Sequence, residues 1–154
     1  MSDQTVELKD EGLKALIKAF KNIPKAKVGI LADKNARKEG ANSNVQIGRK
    51  HEFGDHEVPK RSFLRMPITD NLQKYLEKSG AFDKEVLAEV IRLKNITPWV
   101  EKMAITAVAI VSEGFDTGGF GKWKPSNFEN KKVHLTLVET QQLRNSIGYE
   151  VNES

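Results

Sequence analysis

Cysteine is absent from this 154-residue chain. That removes disulfides, thiol nucleophiles and thiolate metal sites, and it agrees with folding in a reducing compartment. Long apolar runs are missing as well. Nothing approaches the ~18 residues that a membrane span needs, and the opening MSDQTVELKDEGLK has no apolar stretch of the kind that heads a leader peptide. The expectation is a chain with no membrane partner, assembled in a cytoplasm. A large charge excess of one sign is also lacking: 25 Lys and Arg stand against 21 Asp and Glu, for a formal net charge of +4, and the two signs are interleaved through most of the chain. No internal repeat is visible.

What is present, 38% hydrophobic and 30% charged residues, is the composition of one globular domain over residues 1–154. Leu13, Leu16, Ile17 and Phe20 recur at helical spacing and predict a helix from about Leu8 to Asn22, ended by Pro24. KAKVGILA, from Lys25 to Ala32, reads as a strand. Residues 33–43 have no apolar side chain larger than alanine and read as a mobile surface loop. Asn44 to His51 is compatible with a short helix or an irregular strand. Pro59 and Pro67 bracket a stretch expected to be extended. Helices then follow after Pro67, with Ser79 and Gly80 as the stop, from Asp83 to Lys94, and from Pro98 to about Phe115, with Thr97 as the expected side-chain cap of the last. That last helix is apolar around much of its circumference, which suits a central core helix or a subunit contact. Residues 114–130 are rich in glycine and aromatics and read as a second long loop. Trp123 there either folds back onto its own core or enters a partner. The ending contains a strand-like Val133 to Val138, a turn or short helix at Thr140 to Asn145, and a last strand near Ser146 to Val151. The fold class expected is α+β, a small mixed or antiparallel sheet packed against about four helices, with long extended loops.

No catalytic constellation emerges. His51, Glu52 and His56 fall short of the zinc-protease pattern because the histidines are five apart and Gly54 interrupts the helix. GGFGKW departs from a phosphate loop in having Asp116 where its first glycine belongs and Trp123 where Ser or Thr belongs. With His51, His56 and His134 as the only imidazole bases, no triad or nucleophile elbow appears. No enzyme, metal or cofactor is expected. Two basic patches, Lys60, Arg61 and Arg65, then Lys122, Lys124, Lys131 and Lys132, are either solvated loops or a phosphate-binding surface.

Two stretches concentrate unusual residues. Glu52-Phe53-Gly54 followed by Val58-Pro59-x-Arg61-x-Phe63-Leu64-Arg65 resembles the "E-F-G … I-P-x-R-P-F-L-R" signature of tailed-phage virion morphogenesis proteins, the tail-completion or neck proteins. Leu137-Val138-Glu139-Thr140-x-x-Leu143-x-x-Ser146-Ile147-x-Tyr149-x-Val151 is similar to that family's "L-I-D-T-G-x-L-x-x-S-I-x-Y-x-V" ending. The order and the preceding VGIL strand agree, so the resemblance runs from about Val28 to Val151. Ser62 replaces the second proline of the first pattern, and Gln141 the glycine of the second.

The resemblance implies a non-catalytic virion component of the tail or neck, contacting other copies of itself in a ring (six copies being one option) and the neighbouring tail or head-connector proteins. Contact with packaged DNA is a further option. It also implies an interaction surface drawn from Glu52, Phe53, Gly54, Pro59, Arg61, Phe63 and Arg65, with Trp123, Thr140, Leu143, Arg144 and Ser146. Tail termination, head closure and a small nucleic-acid-binding module are the competing readings.

Overall fold

The computed structural model describes residues 11–36, 42–56, 58–123 and 141–152. Within them the order is α1 (Glu11–Lys21), β1 (Lys25–Ile30), a 3₁₀ turn (Ala32–Lys34), α2 (Asn44–Phe53), α3 (Arg65–Lys78), α4 (Lys84–Leu93), α5 (Thr97–Asp116), α6 (Gln141–Asn145) and β2 (Ile147–Asn152). The α+β class expected from the sequence is present. The two strands pair antiparallel, from Lys25 opposite Asn152 to Ile30 opposite Ile147. The expected strand at Val133 to Val138 lies outside the described residues.

Helix α5 is the axis of the fold. It packs against α3 and against both strands, and it buries Val100, Ala104, Ala107, Ile110, Val111 and Phe115. The main core gathers Phe63, Val111, Phe115, Leu143 and Ile147, with Ile30, Ile47 and Trp123 packed against it. A smaller cluster joins Val90 of α4 to Ile96 and Val100, with Trp99 and Val151 at its margin. The Trp99 indole donates to the Ala81 carbonyl at 2.9 Å, so this aromatic is held at both ends.

Of the two readings open for Asn44 to His51, the helix is the one present: Asn44–Phe53 is helical, begun by a capping box in which Ser43 Oγ accepts from the Gln46 amide and the Gln46 side chain accepts from the Ser43 amide. Two local expectations are corrected. Helix α3 starts at Arg65, not after Pro67. Pro67 sits in the first turn, where its missing N–H costs nothing. Thr97 is not a cap: its amide donates to Asn95 Oδ1 at 2.9 Å, and Pro98 occupies the first turn. At the other end of α3 the expected stop holds. Gly80 takes φ 68°, Ala81 N donates to Leu76 O at 3.0 Å, and Gly80 N donates to Glu77 O at 3.2 Å, the paired bonds of a Schellman termination.

Candidate functional site: the Glu52 clasp and its surroundings

The EFG stretch begins on the last turn of α2. Glu52 is 6% exposed, and its carboxylate points at the start of α3. It accepts from Ser62 Oγ at 2.6 Å and from three successive backbone amides, Phe63 at 3.0 Å, Leu64 at 3.0 Å and Arg65 at 3.2 Å. The Leu64 and Arg65 amides belong to the free N-terminal donors that every α-helix leaves unsatisfied, and the Phe63 amide lies just ahead of them. Leu64, the N-cap of α3, has no side-chain cap bond of its own. Glu52 supplies the missing acceptors from another helix, and its charge lies at the positive end of the α3 dipole. Ser62 extends the clasp, since its Oγ also accepts from Met66 N at 3.0 Å. A proline at position 62, as in the pattern that this stretch resembles, could make neither bond.

Gly54 follows with φ 74° and ψ 166°, a conformation open to glycine, and a Cβ there would lie 2.8 Å from the Lys60 amide nitrogen. The chain turns through Asp55 and Val58, whose amide donates to Asp55 Oδ1 at 2.7 Å, and returns to α2 where Arg61 N donates to His51 O at 2.7 Å. Pro59 is half-buried along this return. His51 Nδ1 has no hydrogen-bond partner among the described residues. Burial, and then the Arg61 charge, pull its pKa down to about 4, with Asp55 opposing.

The residues that the sequence assigns to an interaction surface therefore separate into two groups. Inside the fold are Glu52, Arg61 at 5% exposure, Phe63 at 2%, Leu143 at 0% and Ser146 at 2%. Trp123 joins them: its indole donates to Ser62 O at 3.0 Å and its ring meets Phe115 edge-on at 5.8 Å, while Phe115 lies 5.4 Å from Phe63. Residues 114–116 thus end α5, and a glycine-rich turn over 117–123 carries Trp123 back to the core, the first of the two placements open to it; residues 124–130 lie outside the described residues. Ser146 Oγ donates to Leu143 O at 2.6 Å. Arg144 makes a forked pair with Asp116 at 2.6 and 2.8 Å and adds a bond to Ser112 Oγ at 2.8 Å, pinning α6 to α5. Thr140 lies outside the described residues.

At the surface are Phe53, 60% exposed, and Arg65, whose guanidinium stands 5.6 Å from the Phe53 ring centre with its Nε 3.8 Å from Glu52. Met66 is 39% exposed beside them in sequence. An open cleft of about 260 Å³ lies between the first turns of α3 and the turn after α5, lined in part by Lys60, Met66, Asn71, Phe120 and Trp123. Lys122 on its rim is paired with Asp70 at 2.8 Å. Among the described residues no group of three or more His, Asp or Glu side chains could hold a metal ion, and no helix is long and apolar enough to cross a membrane.

Ser62 is a functional part of the clasp that sequence reasoning noticed only as a departure from a pattern. The signal that would place α2, and so aim Glu52, is the Ser43 to Gln46 spacing, a capping-box pattern missed by the same reasoning. No protein-family model matches this chain, and no curated protein and no solved structure matches it either.

Proposed function

We propose that this chain is a structural component of a tailed-phage particle, acting where the tail is completed and joined to the head, through contacts between subunits and without catalysis. Tail termination and head closure belong to the same proposal as neighbouring positions. The observation that carries it is convergence. The two stretches on which the family resemblance rests are some eighty residues apart in sequence, yet Phe63 from the first and Leu143 and Ile147 from the second lie in one core. Glu52 fixes the helix that follows Phe63. Among the described residues that the stretches leave outward, Phe53 with Arg65 stacked on it is an aromatic and arginine pair of the type that anchors protein interfaces.

The nucleic-acid reading has less in its favour. Arg61 is buried and Lys122 is committed to Asp70, so the described residues of the two basic patches leave Lys60 and Arg65. The test is the composition of purified particles produced from the genome that encodes this chain. Mass analysis is expected to find the chain in fixed copy number, and the Phe53→Ser, Arg65→Ala double variant is expected to fold but fail to be incorporated. Particles that lack the chain, or normal infectivity of the variant, would count against the proposal.

A further inference from the structure

Two helices present open faces of opposite character. Along α5, Glu101, Ile105, Ala109 and Glu113 recur every four residues and so share one face. All four are exposed on a helix that is otherwise the most deeply packed in the fold. Ile105 is 49% exposed. Each glutamate is oriented by a tyrosine from a neighbouring element: the Tyr149 hydroxyl of β2 donates to Glu101 Oε1 at 3.0 Å, and the Tyr75 hydroxyl of α3 donates to Glu113 Oε2 at 2.5 Å. The second oxygen of each carboxylate is left for another donor. No Lys or Arg pairs with either glutamate among the described residues. The result is a strip about 18 Å long, acidic at both ends and apolar between.

Helix α1 has the complementary character. Ile17 and Phe20 lie in its apolar stripe, Ile17 on the side next to the lysines, and are 41% and 49% exposed, with Ile23 just beyond at 45%. Lys14, Lys18 and Lys21 line one flank of that stripe. Lys14 is shared with Glu11 at 3.2 Å, whereas Lys18 and Lys21 have no carboxylate partner among the described residues. At 11 residues the helix is about 16 Å long, a match for the strip.

We infer that α1 of one copy of this chain docks along the Glu101–Ile105–Ala109–Glu113 strip of α5 in a second copy. Phe20 and Ile17 pack around Ile105, the small Ala109 lets the two helices come close, and the lysine flank meets the glutamates at the strip's ends. The contact joins two different surfaces, so it is heterologous and runs head to tail; it closes into a ring when the rotation between copies permits. Taking a second copy as the occupant rests on the assembly reading proposed above.

The absence of cysteine makes the test direct. Sedimentation of the full chain over a range of concentrations is expected to show association beyond the monomer. Lys18→Glu with Lys21→Glu, or Glu101→Lys with Glu113→Lys, should each weaken it roughly tenfold, and the chain carrying all four reversals should regain it. An equimolar mixture of the Phe20→Cys and Ala109→Cys chains should form a disulfide-linked heterodimer under oxidation. Circular dichroism melts would establish that each variant keeps its fold.

Association that ignores both reversals, or a wild-type chain that stays monomeric throughout, overturns this contact, and the assembly reading is then judged separately by particle composition. Charge-dependent association with rescue, from a chain absent from particles, keeps the contact and sinks the assembly reading.

Discussion

Replacing Glu52 by alanine should be among the most damaging single changes in the chain, although it deletes a charged side chain and leaves the apolar core untouched. The carboxylate satisfies Ser62 Oγ and the amides of Phe63, Leu64 and Arg65. Arg65 is exposed and Leu64 half-buried, so water can replace the acceptor at those amides, whereas Ser62 and Phe63 are buried. A buried donor left without an acceptor costs about 1–3 kcal/mol, and loss of a helix cap about 1 kcal/mol. The expected destabilisation is therefore about 3–5 kcal/mol, a large part of the roughly 5–15 kcal/mol that holds a domain together. For a chain of this length that lowers the melting temperature by roughly 10 °C. Glu52→Gln retains one oxygen but turns an NH₂ group towards two of the donors, so it should lie between the two. Urea titration gives the free energies, and hydrogen exchange should localise the loss to amides 63–65. A Glu52→Ala chain that loses less than about 1 kcal/mol, with unchanged exchange at those amides, would refute the clasp.

The neutral His51 ring, with its pKa held near 4 by burial and by Arg61, stabilises the fold fully above pH ~6.5. That contribution is lost as the pH falls towards 4, and after allowance for the ring's partial exposure it amounts to about 1–2 kcal/mol. His51→Gln should flatten the dependence of the urea midpoint between pH 7 and 4. Gly54→Ala places a Cβ against the Lys60 backbone at a φ of 74° and should cost about 2–4 kcal/mol in a thermal melt. Arg144→Lys keeps the charge but loses the fork to Asp116, and because Asp116 is more than half exposed the cost should be only about 0.5–1 kcal/mol by the same measurement.

The helices with broad apolar stripes were legible from spacing alone: α3, α4 and α5 fall close to where Leu72 and Leu76, Val86 and Val90, and the run from Val100 to Val111 place them. Helix α2 was not, because its stripe is thin. Gly48 occupies one of its few buried positions, where α2 passes so close to Ile30 and Phe63 that a Cβ would stand 2.8 Å from Ile30. The turn after α5 has no period, so the sequence predicts only a loop there. Its path is set by positive φ at Gly118, Gly119, Phe120 and Gly121, which a hydrophobic pattern cannot reveal. At the site, the sequence singled out Glu52, Arg61 and Phe63 as unusual. It could not tell that they face inward, since Glu52 binds main-chain amides more than ten residues away, and every residue type but proline offers an amide.

That same indifference has a consequence for how such a chain can diversify. Glu52 grips the peptide groups at positions 64 and 65 whatever side chains they carry. The exposed side chain at position 65 can therefore be exchanged without loosening the frame that presents it, so the outer face of this corner can vary on a foundation that does not have to change.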